Sequence, residues 1–326
     1  MEANNLSGIE KAIRENSSFL IFAHKNPDGD AIGSAVCAGV MLKKIGKSVG
    51  YAISHDNSGL SKLFEEGEFF MSQIMGEYDV ALVLDCSTLD FMDNQELLGL
   101  CKCTMLLDHH QTEGGESYCD FYFVDADRAA TGEIVYELAT MLDVEFDRQM
   151  AEALFLSLSS DTGYFKYNNT TARTHEIIAS LYPLSNNFTN IAEYADSYSF
   201  EKLSLMKETI NNITFYLSGK LGVCILKNDI APYYVDMETD GLIDFVRNVK
   251  GCEISAFIKQ VSDNMYKISM RSVVPGLDLS EFARKYGGGG HKQAAGFDMK
   301  TDNINDIVMD LIDMAKGAYG RNINFK

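Results

Sequence analysis

Carboxylates and imidazoles stand in four places along this chain, in a pattern suited to metal-assisted hydrolysis. In FAHKNPDGDAIGS an apolar run ends in His24, Asp28 and Asp30 follow, and Gly29 and Gly33 permit a tight turn into a helix. A spacing of two puts both carboxylates on one side of the loop. VALVLDCS stops in Asp85, TMLLDHH stops in Asp108, His109 and His110, and LSLSSDTGYF places Asp161 between a helical pattern and a glycine turn. Singly, such an aspartate is ordinarily a helix cap or turn former, and a histidine a satisfied core or surface residue. Together they read differently: uncompensated, converging carboxylates repel and some hold protons, so a cation is their natural partner. Carboxylates and imidazoles without a thiolate suit Mn²⁺ or Mg²⁺ better than structural zinc, and two histidines favour Mn²⁺. Six ligands with water exceed what one ion requires. Two ions about 3.5 to 4 Å apart, sharing a bridging carboxylate, would use them and clamp both oxygens of an in-line phosphoryl displacement. Cys86 adjoins Asp85 but faces the other side of its strand and reads as core.

A second cluster lies in KISMRSVVPGLDLSEFARKYGGGGHKQAAGF. Consecutive glycines cost roughly 0.5 to 1 kcal/mol each relative to alanine in a regular element, so glycines 287–290 suggest close backbone approach to a ligand, with a mobile loop as the plainer alternative. Their amides can form an anion-binding nest, His291 adds a donor, and Arg271 at a strand end can grip phosphate bidentately.

The elements that must position these groups follow from pattern. In the first half, β-rich runs at 18–24, 47–53, 78–86, 103–110 and 120–125 alternate with helical patterns at 31–44, 130–142, 148–159 and 171–182, the signal of βαβ units and a parallel sheet. Residues 186–212 read as helical without strands and hold the domain boundary. The remainder predicts a smaller α/β unit, with strands at 213–218, 221–227, 252–261 and 264–271 and helices at 230–249, 278–286 and 302–316. The expected division is a catalytic metal-binding domain over 1–190, a helical linker over 191–212 and a substrate-binding domain over 213–326.

A length of 326 residues, 46% apolar and 23% charged, is ordinary globular usage and excludes disordered and fibrous classes. No run approaches the roughly 18 apolar residues of a membrane span, and the first residues lack the order of a signal peptide, so a cytoplasmic protein without a membrane partner is expected. The formal charge of −19 opposes binding of duplex DNA or other long nucleic acid. Seven cysteines without framework spacing read as reduced core residues, the Cys101/Cys103 pair included.

These residues together resemble the DHH phosphoesterase superfamily, through Asp108-His109-His110, and its DHHA1 subfamily, through the GGGH at 288–291; length and the Arg271-Ser272 pair are similar to NrnA-type oligoribonucleases (nano-RNases). The resemblance implies two Mn²⁺, with Mg²⁺ or Co²⁺ as substitutes. One would be held by His24, Asp28 and Asp85, the other by Asp30, Asp85, His109 and Asp161, with Asp85 bridging. Asp108 would orient a neighbouring histidine, His110 would contact the scissile phosphate, and Arg271, Ser272, Gly289, Gly290 and His291 would receive the nucleotide in a cleft between the domains. In DADRAATGEIVYEL, Ala129 and Ala130 stand where relatives often carry a hydroxyl, while Thr131 remains. The implied activity is hydrolysis of RNAs of two to five nucleotides, of pAp to AMP, or both, by a metal-activated hydroxide. The alternative is a cyclic-di-AMP or pApA phosphodiesterase of the same superfamily. Inorganic pyrophosphatase fits the GGGH cluster less well, and RecJ-like attack on long strands would want further domains. A non-catalytic nucleotide-binding module should lack metal ligands, and all six are present. Physiological substrate, polarity of attack, the metal used in the cell and oligomeric state, a homodimer among the options, stay open.

Overall fold

Five short apolar strands pair side by side in the first half of the chain: β1 (Ser18–Phe22), β2 (Ser48–Tyr51), β3 (Tyr78–Leu84), β4 (Cys101–Asp108) and β5 (Phe121–Val124). All pair in parallel, in the order β2-β1-β3-β4-β5. The computed structural model describes residues 5–54, 59–70, 74, 76–86, 88–110, 118–228 and 241–322. They divide into two compact units, Met1–Ser197 and Tyr198–Lys326.

Strand alternation assigns the two faces of the parallel sheet. Phe19, Ile21, Leu82, Leu84 and Leu107 point into a core shared with α1 (Leu6–Glu15), α2 (Gly29–Lys44), α3 (Thr131–Met141), α4 (Arg148–Asp161), α5 (Ala172–Leu181) and α6 (Phe188–Ala195). Leu20, Phe22, Val83 and Leu106 point the other way, against Met92, Cys119 and Cys86; Cys86 is core as expected, but it lies beyond β3, and the left-handed turn at Asp85 rather than strand alternation brings it to this face. Short 3-10 turns at Leu89–Phe91 and Gln95–Leu100 cover that second face. Helix α2 is the central one. Asp28 caps it by accepting from the Asp30 and Ala31 amides, and Lys43 and Lys44 sit at its negative end. It packs closely on α4 because Gly29 and Gly33, one turn apart, face Ser160 and Ser157 with no side chain between.

Two features here were not legible in the periodic runs. Helix α1, with Leu6, Ile9 and Ile13 buried, precedes the first predicted element. The helical stretch expected over 186–212 is two helices, α6 and α7 (Phe200–Asn211), with Ser199 capping the second; the division between units falls in the break, so the expected linker is shared between them.

The second unit is built on a six-stranded sheet ordered β10-β11-β9-β8-β7-β6, comprising β6 (Ile213–Tyr216), β7 (Leu221–Leu226), β8 (Ile254–Ser262), β9 (Met265–Ser272), β10 (Gly289–His291) and β11 (Ala294–Lys300). Only β7 and β8 run parallel. Helices α9 (Leu279–Arg284) and α10 (Ile304–Asn322) pack on one face around Ile268, Met270 and Leu311; α7 and the short α8 (Asp244–Arg247) pack around Cys224 and Phe257 on the other. Of the helix expected over 230–249, α8 is present and 229–240 lies outside the described residues.

Candidate metal centre

In a sheet ordered β2-β1-β3-β4-β5 the chain reverses direction of growth between β1 and β3, and the crevice beyond their carboxyl ends is where such folds bind ligands. Five of the six expected ligands lie just beyond β1, β3 and β4 or in the first turn of α2. Asp161 arrives from the end of α4.

Three groups of ligand atoms, each within 4.8 Å of one another, converge there: His24, Asp28 and Asp85; Asp30, His109 and Asp161; and Asp85, His109 and His110. Asp85 belongs to two of them and offers a different oxygen to each. Its Oδ2 lies 3.7 Å from His24 Nε2, and its Oδ1 lies 3.7 Å from His109 Nε2 and 3.4 Å from His110 Nδ1. Asp28 Oδ1 stands 3.8 Å from His24 Nε2, while His109 Nε2 is 2.9 Å from Asp161 Oδ2 and 3.6 Å from Asp30 Oδ2.

Backbone geometry sets these directions. β1 stops at Phe22, and His24 is held instead by a bridge to Met92, reinforced by Lys25 N donating to Phe91 O at 2.8 Å. Asp85 has φ +56, a left-handed conformation that aspartate tolerates better than most residues. The turn lifts it out of β3 while its amide still donates to Leu107 O.

Imidazole orientation is fixed from behind. Arg128 O accepts a hydrogen bond from His109 Nδ1 at 3.2 Å, which turns Nε2 toward the carboxylates. That Nε2 is buried with no aligned hydrogen bond, the condition of a ring nitrogen awaiting a cation. Asp108, fully buried, accepts from His110 Nδ1 at 2.8 Å and from the His109 and His110 amides. Of the three residues of this motif, Asp108 is the one whose hydrogen bonds go to the other two.

Electrostatics agree with a cationic occupant. Burial and the neighbouring Asp30 push Asp85 well above the ordinary carboxylate range, and burial and Asp161 push Asp30 up to about 6. For His109, burial acts to lower the pKa, but Asp161 and Asp30 overcome it and raise it to about 9. The donor set therefore fits divalent cations: oxygen and imidazole ligands, several buried, whose mutual repulsion positive charge relieves.

Three side chains that motif reading did not place among the site residues complete the surroundings. Thr131 donates from Oγ1 to Asp85 Oδ1 at 3.1 Å and from its amide to Asp30 Oδ2 at 2.7 Å, so the hydroxyl that remains after Ala129 and Ala130 serves the carboxylates. Ser34 and Ser157 both donate to Asp30 Oδ1. Ser34 is signalled by its spacing, one helical turn after Asp30; Ser157 comes from another helix and has no local signal.

In the second unit, Arg271 of β9 pairs with Ala294 of β11, which pairs with His291 of β10, so directly opposed residues place Arg271 and His291 on one sheet face. Arg271 also pairs with Ser255 of β8, whose buried Oγ has no hydrogen-bond partner. Ser272, one residue on, turns to the opposite face, where it is buried and accepts from Val274 N at 3.0 Å. Gly289 and Gly290 form an exposed edge strand rather than an open loop. Part of the reason for glycine lies within the sheet: a Cβ on Gly288 or Gly290 would collide with β11, and Gly290 has φ +129.

A family model described as DHH family, N-terminal domain, matches residues 18–158, and one described as DHHA1 domain matches 233–317. The bifunctional oligoribonuclease and PAP phosphatase NrnA of Thermus thermophilus is 29% identical over 92% of this chain and 90% of its own length. The Mycoplasma genitalium protein of the same name is 26% identical over 96% of this chain and 98% of its own. In fold, the crystal structure of an exopolyphosphatase-related protein from Bacteroides fragilis superposes with TM-score 0.81 at 21% identity, covering 96% of both chains. Ligand pattern, sheet order and both family models agree: the chain carries a DHH domain followed by a DHHA1 domain.

Proposed function

We propose that the protein is a metal-dependent phosphoesterase that hydrolyses oligoribonucleotides of two to five residues and removes the 3′ phosphate of pAp. The observation that carries this reading is Asp85, whose two oxygens face two separate ligand groups, the arrangement a bridging carboxylate requires. Relatives named for both activities along nearly the whole chain support the substrate class. His24, Asp28 and Asp85 would hold one ion, and Asp30, Asp85, His109 and Asp161 the other, with Mn²⁺ the ion that best suits imidazole and carboxylate together. Two such ions supply Lewis acidity to the phosphoryl oxygens and acidify water to a usable nucleophile near neutral pH.

The chain's own groups do the rest. His110 is half-exposed, with Nδ1 tied to Asp108, and this hydrogen bond raises its pKa and keeps a proton available for charge developing on the phosphate or leaving group. Arg271, His291 and the exposed edge-strand residues Gly289 and Gly290 would receive the nucleotide's non-reacting phosphate, with Ser272 contributing through the turn it holds. Among the described residues no helix is long and apolar enough to cross a membrane.

The test is a substrate panel on chelator-stripped protein reloaded with Mn²⁺, Mg²⁺ or Co²⁺: pAp, pApA, cyclic-di-AMP, 5′-phosphorylated RNAs of several lengths, and pyrophosphate. Highest kcat/KM on the short RNAs and pAp with Mn²⁺ supports the proposal. Preference for cyclic-di-AMP and pApA would move the protein to a dinucleotide phosphodiesterase role.

A further inference from the structure

Asp30 is the most enclosed of the ligand carboxylates, and its two oxygens are not equivalent. Oδ1 accepts three hydrogen bonds: from Ser34 Oγ at 2.9 Å, Ser157 Oγ at 2.6 Å and Gly132 N at 3.2 Å. Oδ2 accepts one, from Thr131 N at 2.7 Å, and lies 3.6 Å from His109 Nε2. A carboxylate oxygen offers about two lone-pair directions, so Oδ1 is saturated while Oδ2 keeps one, on the side of the other ligands.

The packing makes this arrangement costly to build by accident. Ser157 is fully buried on α4, and its hydroxyl reaches a carboxylate on α2 only because both facing elements carry glycine there. A Cβ on Gly33 would meet the Ser157 backbone nitrogen at 2.8 Å, and one on Gly132 would overlap the Ser157 hydroxyl. Three helices thus meet at one serine, and the serine points at the closed oxygen of Asp30.

We propose that Ser157 is a positioning residue which, together with Ser34, occupies Oδ1 of Asp30, confines the carboxylate to one-oxygen ligation through Oδ2, and thereby favours compact six-coordinate cations over Ca²⁺. This rests on the reading of Asp30 as a metal ligand. Ca²⁺ takes six to eight oxygens at about 2.3 to 2.6 Å and readily uses both oxygens of a carboxylate, whereas smaller octahedral ions do not need the second. Freeing Oδ1 therefore costs the smaller ion its preorganised ligand and gives the larger ion an additional one.

The experiment is calorimetric titration of the chelator-stripped full chain with Mn²⁺ and, separately, with Ca²⁺, for wild type, Ser157→Ala, Ser34→Ala and the double variant, with unfolding temperatures of the stripped proteins alongside. Because Ser34 Oγ and Gly132 N still fill Oδ1 in Ser157→Ala, the main effect is expected in the double variant: a loss of Mn²⁺ affinity on the order of tenfold, the scale typical of groups that orient metal ligands, with a smaller loss or a gain for Ca²⁺, and a smaller shift of the ratio in the same direction for each single variant. Equal losses for both ions, or unchanged affinities with a lowered unfolding temperature, would make Ser157 a packing residue and overturn the proposal. If wild type binds no Mn²⁺, or Asp85→Asn binds it as wild type does, the metal centre itself is misread and the proposal falls with it; normal wild-type binding with an unmoved ratio sinks only the role of Ser157.

Discussion

Asp85 is the carboxylate proposed to bridge, with one oxygen toward His24 and the other toward His109, and its backbone makes the decisive substitution a clean one. Asparagine tolerates the left-handed φ of +56 about as well as aspartate, so Asp85→Asn removes charge without adding backbone strain. A rate loss on the order of 10³-fold or more is expected, by comparison with removal of other groups that stabilise transition-state charge. A purified variant that keeps two tightly bound Mn²⁺ and a near-native rate would refute the bridging role. His110 and Arg271 should separate kinetically. His110→Ala should leave metal stoichiometry intact and lower kcat, because the half-exposed imidazole held by Asp108 is proposed to act on developing charge. Arg271→Ala raises KM chiefly, as loss of a grip on a non-reacting phosphate should. An unchanged KM on every phosphorylated substrate tested would remove Arg271 from the receiving site.

Strand β3 is fastened at its start by Asp79, which accepts from Ser17 N, Ser18 N and Ser18 Oγ and pairs with Lys102 Nζ at 2.8 Å, tying β1 and β4 to it. The Lys102 contact and these hydrogen bonds hold its carboxyl far below the ordinary value of 3.8. A pKa depressed by folding stabilises the native state above the unfolded value, and that contribution is lost as pH falls toward the folded one. Asp79→Ala should therefore lower Tm by a constant amount from neutral pH down to about pH 4, with the gap closing below that; thermal melts across pH check it, and a gap that widens in acid would contradict the assignment. Elements with a long-period pattern were legible in the sequence: the five strands, and the helices that became α2 to α5, lie within a few residues of their expected places. Candidate ligands at strand ends were legible for the same reason, since an apolar run that stops in Asp or His announces both the strand and the residue beyond it. What escaped notice depends on distant partners. Ser157 looks like any small residue in LFLSLSSD until α2 packs against it, and glycines 288 and 290 look like an open loop until β11 lies beside them. Ser272 follows Arg271 in sequence, yet a period of two sends it to the opposite face.

At the scale of the whole molecule, the charge of −19 bears on substrate length. Each phosphate of an RNA that extends past the binding groups meets an acidic surface, and screening over about 10 Å at 0.1 M salt only softens that repulsion. Efficiency should fall beyond a few nucleotides, and the fall should be steeper at low salt. Measured kcat/KM for 5′-phosphorylated RNAs from two to about twenty nucleotides would show it, and equal efficiency across lengths at low salt would exclude the electrostatic cause.

The separate cores of the two units have a consequence for how the protein melts. The proposed cation ligands run from His24 to Asp161 and lie entirely in the first unit, so an ion that binds only when that unit is folded would act as a staple across a long stretch of one core and leave the other untouched. At free metal a hundred times its Kd the linkage is worth about 2.7 kcal/mol, which for a unit of this size is about 5 to 10 °C. Calorimetry with and without a chelator should then resolve two unfolding steps of which one moves by that amount and one stays in place. A single transition that shifts as a whole would mean instead that the two halves unfold as one cooperative body.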